Sequence, residues 1–178
     1  MQAQGRLPGN ALVATVMSNI GLELALRESG IELVRTSVGD KYVMEEMLRR
    51  DLPIGGEQSG HIIFSAHLFT GDGIATALNV LRVMAETGRE LADLAAELVA
   101  YPQTLVNVRV RARKDLAGVP AVVDVMKQVE ERIGGQGRLL VRYSGTEPLL
   151  RIMIEGRDQH EIQQWAGEIA AVVKQELG

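Results

Sequence analysis

The spacing of apolar residues changes near residue 100, and that change limits the fold more than any single motif does. Before it, short apolar runs alternate with stretches of helical spacing. Ala11 to Met17 is an apolar run bounded by Gly9-Asn10 and Ser18-Asn19, which predicts a buried strand. Ser18 or Asn19 can cap a helix from Ile20 to about Ser29, and Gly30 ends it. Ile31 to Arg35 reads as a second strand and Lys41 to Arg50 as a second helix, with Val43, Met44, Met47 and Leu48 turned inward. His61 to Ser65 is a further strand candidate. Gly73 to Glu86 places Ala77, Leu78, Leu81 and Met84 at helical spacing, and Leu91 to Ala100 also reads as helix. Strands alternating with helices of this length predict an α/β domain with a mixed sheet.

After Pro102 the period is two. Val106, Val108 and Val110 face one way, and Asn107, Arg109 and Arg111 the other, as in a half-exposed strand of an antiparallel sheet. Pro120 opens a helix with the buried stripe Val122, Met126, Val129 and Ile133, closed by Gly134-Gly135. Strands at about Arg138–Tyr143 and Leu149–Glu155 flank a tight loop. The last helix starts with Asp158 and Glu161 in capping-box spacing and carries Ile162, Trp165, Ile169, Val172 and Val173 on one face. This half reads as a small α+β domain, β-α-β-β-α, with both helices on one face of an antiparallel sheet. The expected division is 1–10 as a tail or the end of a preceding domain, 11–98 as the α/β domain, 99–104 as linker and 105–178 as the α+β domain.

Composition narrows the function. With a net charge of −4 there is no basic field to attract a nucleic-acid backbone, although a local Arg cluster can still bind a small anion. The absence of cysteine removes disulfides, thiolate metal sites and cysteine nucleophiles, and fits a cytoplasmic protein. No apolar run approaches the roughly 20 residues that span a bilayer, and no signal-peptide pattern opens the chain.

Three loops can carry chemistry. Arg142-Tyr143-Ser144-Gly145-Thr146-Glu147-Pro148 delivers a guanidinium, two hydroxyls and a glycine between two strands. Arg142 matches phosphate oxygens, and Ser144, Gly145 and Thr146 can complete an anion nest, with Arg151 adding charge from the next strand. The same residues also suit a plain hairpin turn, and turns of this composition are common. Gly55-Gly56-Glu57-Gln58-Ser59-Gly60-His61 combines glycines that let a backbone lie near a ligand with Glu57 and Ser59, which suit sugar hydroxyls or an amine; a flexible connector is the alternative. Thr36-Ser37-Val38-Gly39-Asp40-Lys41 lies at a strand-to-helix turn, where ligands of α/β sheets gather. There Asp40 can instead cap the helix and Lys41 point into water. Lys41 and His61 are the proton-transfer candidates near these loops. His67 and His160 share no metal-ligand spacing with His61, and Asp72 between two glycines reads as a helix cap rather than a metal ligand.

Five stretches in this order resemble the α-D-phosphohexomutase superfamily: Ala14 to Asn19, Arg35-Thr36 with Val38 to Val43, Gly55 to His61, Thr70 to Gly73, and Arg142 to Arg151. Gln58 looks like the glucosamine branch, because the phosphomannomutase/phosphoglucomutase branch usually has Met there. The resemblance implies the third and fourth domains of a four-domain enzyme. In it, Gly39, Asp40, Glu57 and Ser59 would meet the sugar, and Arg142, Ser144, Gly145, Thr146 and Arg151 the phosphate that is not transferred. Lys41 and His61 would position groups or move protons. Many members of the branch carry Arg at position 41, and Arg does not readily give up a proton, so an electrostatic role for Lys41 is as well supported as a general base.

The implied reaction interconverts glucosamine 6-phosphate and glucosamine 1-phosphate, a step toward amino-sugar nucleotides and cell-wall precursors. It runs through a phosphoserine, a bisphosphorylated sugar and Mg²⁺. The family's serine loop and its Asp-rich metal loop do not occur in this sequence, so the expectation is no metal site in this chain and no turnover by it alone. The implied partners are a hexosamine phosphate and the enzyme's N-terminal domains, with neither nucleic acid nor membrane; a homodimer stays open. The alternatives are a piece of a phosphomannomutase/phosphoglucomutase, and a stand-alone phosphosugar-binding module.

Overall fold

Strand β1 (Ala11–Thr15) is flanked on both sides, by β2 (Glu32–Thr36) and by β3 (Ile54–Gly56), each parallel to it; β4 (Ile62–Phe64) then adds antiparallel to β3. The resulting order is β2-β1-β3-β4 in a computed structural model that describes residues Met1–Gly178. Pairing on both edges explains why the run from Ala11 is apolar on both faces: Val13 sits between Val34 and Gly55 and is fully buried. Four helices belong to this unit: α1 (Ile20–Glu28), α2 (Asp40–Arg50), α3 (Gly73–Thr87) and the short α4 (Leu91–Ala95). The Asn19 side chain caps α1 by accepting the Gly21 N–H at 2.9 Å, and Asp72 caps α3 by accepting the Ala75 N–H at 2.6 Å. Residues Met1–Asn10 form two 3-10 turns, bury Leu7, and donate a hydrogen bond from Gln2 to the Ser29 carbonyl.

The core of this unit joins Val13, Val34 and Ile63 of the sheet to Val43 and Met47 of α2. Three expectations change here. Leu48 is 57% exposed, because the helix face that meets the three-residue strand β3 takes only Val43 and Met47 fully inside. The last helix stops at Ala95 instead of continuing to Ala100. The stripe on α3 lies in the open: Leu78 is 61% exposed and Leu81 56%, whereas the polar Asn79 is buried and donates to the Ala75 carbonyl.

In the second unit, Tyr101–Gly178, β5 (Gln103–Arg109), β6 (Arg138–Tyr143) and β7 (Leu149–Glu155) form an antiparallel sheet in the order β5-β7-β6. Helices α5 (Pro120–Ile133) and α6 (Gln159–Leu177) complete the expected β-α-β-β-α sequence of elements. Leu150, Ile152 and Ile154 alternate along β7 and are fully buried in one cluster with Val122 and Val129 of α5 and Ile162, Ile169 and Val173 of α6. Strand β5 starts three residues before Val106, the first of the alternating valines, and ends at Arg109. The chain turns away there, with the Val110 N–H given to Pro148 and the Arg111 N–H to Leu177, at 3.0 and 2.8 Å. On the sheet's other face Glu155 is fully buried beside Arg138, whose Nε and Nη2 lie 3.0 and 2.9 Å from one carboxylate oxygen. No helix of the chain is long and apolar enough to cross a membrane.

Candidate functional site

In the first unit the structure ties two of the three loops together. The Gly39 N–H donates to Glu57 Oε1 at 2.9 Å, so the turn before α2 fixes one oxygen of that carboxylate and leaves the other unclaimed. The Glu57 N–H bonds the His61 carbonyl and the Gly60 N–H bonds the Glu57 carbonyl, closing a turn between β3 and β4. Gly60 holds φ of 95° there, a backbone state that suits glycine. At the turn's tip Ser59 Oγ lies 2.9 Å from His61 Nδ1, with both side chains exposed. Lys41 does not join this group. Its Nζ points to Glu45 at 3.7 Å in an exposed pair one turn along α2, and Asp40 Oδ1 accepts only the adjacent Lys41 N–H.

The glycines at 55 and 56 have a different task from the one their sequence suggested. Both are buried in β3 rather than lying open toward a ligand. A Cβ at Gly55 would come within 2.7 Å of the Met47 sulfur and of Val43 Cγ1, and one at Gly56 within 2.8 Å of the His61 carbonyl oxygen. They permit close packing of α2 and of the following chain on the strand.

In the second unit the loop between β6 and β7 is a hairpin turn with an unusual charge pattern. Arg142 and Arg151 are directly opposite in the β6–β7 register, and Asn107 of β5 pairs with Arg151 from the other side. Like charges in that relation repel. Arg151 Nη2 is answered by Glu147 Oε2 at 3.0 Å, while its buried Nε has no partner. The Arg142 guanidinium, half-buried, makes no hydrogen bond or ion pair within the chain. Ser144 is buried: its N–H donates to the Leu149 carbonyl at 2.8 Å, and its Oγ accepts the Glu147 N–H at 3.3 Å. Gly145 and Thr146 are exposed, and neither N–H is bonded within the chain. Two free amides and an unanswered guanidinium thus leave one turn with donors that lack acceptors, a set that could suit an anion.

Arg113 escaped the sequence reading. Its Nη2 donates to the carbonyls of Ser144, Gly145 and Glu147, at 2.6, 3.1 and 3.4 Å, and the Tyr143 hydroxyl donates to the neighbouring Lys114 carbonyl at 2.7 Å. Arg35 has a parallel place in the first unit, donating to the Thr15 and Ser18 carbonyls and to Glu23 at 3.2, 2.8 and 3.0 Å. It fixes the turn between β1 and α1. Nowhere do three or more His, Asp or Glu side chains converge as metal ligands, so these residues do not fit an Mg²⁺ ion.

The chain belongs to the phosphoglucomutase/phosphomannomutase family: the alpha/beta/alpha domain III model matches residues 1–101, and the C-terminal domain model residues 105–172. Within that family it is similar to phosphoglucosamine mutase. It is 52% identical to that of Geobacter sp. (strain M21) and 53% to that of Syntrophotalea carbinolica, over all of its own length and 39% of each relative's. The chain therefore spans about two fifths of the curated relatives it matches. Among solved structures, Aspergillus fumigatus N-acetylphosphoglucosamine mutase matches with a TM-score of 0.77 at 22% identity, over 93% of this chain and 38% of that one. An N-acetylglucosamine-phosphate mutase in its product complex matches at 0.74 with 21% identity, over 97% and 41%. A further Aspergillus structure, described as a complex with GlcNAc-6P and magnesium, matches at 0.71 with 22% identity, over 93% and 38%. At these identities the structures speak for the fold.

Proposed function

We propose that the chain is the sugar- and phosphate-recognising part of a phosphoglucosamine mutase, an enzyme that interconverts glucosamine 6-phosphate and glucosamine 1-phosphate. The observation that carries the proposal is the turn between β6 and β7, where Arg142 and the amides of Gly145 and Thr146 are all unanswered. A phosphate dianion supplies the acceptors that this turn lacks, and it offsets the repulsion between Arg142 and Arg151. In the first unit, the free oxygen of Glu57 would accept from a sugar hydroxyl or the 2-ammonium group, and Ser59 would reach a neighbouring hydroxyl. The bond between Ser59 and His61 leaves the imidazole Nε2 available to a substrate oxygen. Lys41, exposed and held only by Glu45, adds positive charge rather than a base.

Such an enzyme must present either end of its substrate to one phosphoserine. A clamp that holds the non-reacting phosphate and a loop that reads the ring serve both orientations. The phosphoserine, the Mg²⁺ that neutralises the transferring phosphoryl group, and further domains of the same polypeptide would come from outside these residues. The chain alone should bind substrate weakly and turn over none.

The test is a titration of the whole chain, with backbone amides followed by NMR. Glucosamine 6-phosphate should shift the amides of Glu57–His61 and Ser144–Thr146, whereas inorganic phosphate should shift only the second group. If neither sugar phosphate nor phosphate moves either group at saturation, the recognition role is wrong. Equal affinity for mannose 6-phosphate or glucose 6-phosphate would favour the phosphomannomutase/phosphoglucomutase reading that the family description also covers.

A further inference from the structure

We infer that Arg113 is a positioning residue for the anion loop, one that touches no substrate but turns the amides of Gly145 and Thr146 outward. The inference rests on the phosphate-clamp reading and adds a device to it. One guanidinium nitrogen gathers the carbonyls of Ser144, Gly145 and Glu147. Every peptide bond in the chain is trans, and in a trans peptide the carbonyl and the following N–H point in opposite directions. Holding the Ser144 carbonyl therefore aims the Gly145 N–H away from Arg113, and holding the Gly145 carbonyl does the same for the Thr146 N–H. The third carbonyl precedes Pro148, which has no N–H to orient, so that contact anchors the far end of the turn.

Packing does not impose this arrangement. Gly145 and Thr146 are exposed, and a Cβ at Gly145 would meet nothing within 4 Å. Were those two peptide planes reversed, the turn would offer carbonyl oxygens to an anion and repel it. The cation behind the loop selects the attractive orientation, and the bond from Tyr143 to Lys114 keeps Arg113 beside the strand end.

The experiment uses the whole chain, free and titrated with inorganic phosphate and with glucosamine 6-phosphate, as wild type, Arg113→Met, Arg113→Lys and Arg142→Met. Arg113 is exposed, and unchanged amide signals from β7 and α6 report that each variant is folded. In Arg113→Met the free-state signals of Gly145 and Thr146 should move and phosphate affinity should fall about tenfold or more, the loss expected for charge-assisted bonds. Arg113→Lys, which keeps the charge without the planar fork, should recover only part of it. Arg142→Met should lose affinity while the free-state signals of Gly145 and Thr146 stay in place. Unchanged affinity in Arg113→Met would overturn the inference. So would lost affinity with unmoved loop signals, which would make Arg113 a direct electrostatic contact. If the wild type binds neither probe, the clamp reading fails on its own; moved loop signals in Arg113→Met would then retain Arg113 as the holder of the turn, and unmoved ones would remove it.

Discussion

At the scale of single residues, the molecule spends several arginines on its own carbonyls and carboxylates, and two of these uses can be separated by mutation. Arg113 organises a turn from outside. Arg138 neutralises Glu155, which is fully buried, with an arginine side chain that is itself only 15% exposed. A pair of this kind contributes little against a well-packed apolar substitute, but removing the arginine takes the counter-charge from a buried carboxylate. Arg138→Met should therefore cost about 3–5 kcal/mol, and a double replacement with an apolar residue at 155 should recover much of it. Urea unfolding followed by the fluorescence of Trp165, the single tryptophan, reads this out in the unit concerned. A loss under about 1 kcal/mol for the single variant would mean that water reaches Glu155 readily.

At the scale of elements, α6 is set by its start. Asp158 Oδ1 accepts the N–H groups of His160 and Glu161, at 2.8 and 3.0 Å, and these bonds, that from Glu161 first, hold the carboxyl below the ordinary aspartate range. Because the folded value is the depressed one, the cap contributes fully above the unfolded pKa and is lost as pH falls through the folded one. Asp158→Ala should lower the unfolding midpoint at neutral pH, with a difference from wild type that shrinks on acidification. Asp158→Asn, which keeps the acceptor without the charge, should sit between them and show no such pH dependence. A pH-independent gap between wild type and Asp158→Ala would contradict the assignment. Glu46 behaves alike in direction: hydrogen bonds from Arg49, then Arg50, outweigh its desolvation and lower its carboxyl to about 2.

Much of this level was legible beforehand. The two-residue alternation of β5, the Asp158 cap and the stripes of α5 and α6 are local patterns, written in residues that lie near one another in the chain. The turn from Arg142 to Pro148 was legible for the same reason. Arg113 was not, because its partners lie 31 to 34 residues away and no spacing announces such a contact. Gly55 and Gly56 misled, because composition cannot distinguish a glycine that frees the backbone from one that makes room for Met47 and Val43.

At the scale of the whole molecule, α3 raises a question of solubility. Ile74, Leu78 and Leu81 line one side of it, and Ile74 is 76% exposed. An apolar helix face this open promotes association. Sedimentation velocity of the chain over a range of concentrations should show reversible self-association, and replacing these three residues with Gln should abolish it without loss of helical signal. A monomer at all concentrations would show that the face is tolerated in water. Order of assembly also follows from the second unit's topology. Strands β6 and β7 pair across a five-residue turn, whereas β5 must close on β7 over a segment several times longer. Closing the short loop costs less chain entropy and comes first. The hairpin and its turn can thus form before β5 brings Arg113 alongside. A bond made on the downhill side of the folding barrier leaves the rate of folding almost unchanged and governs how fast the native turn comes apart.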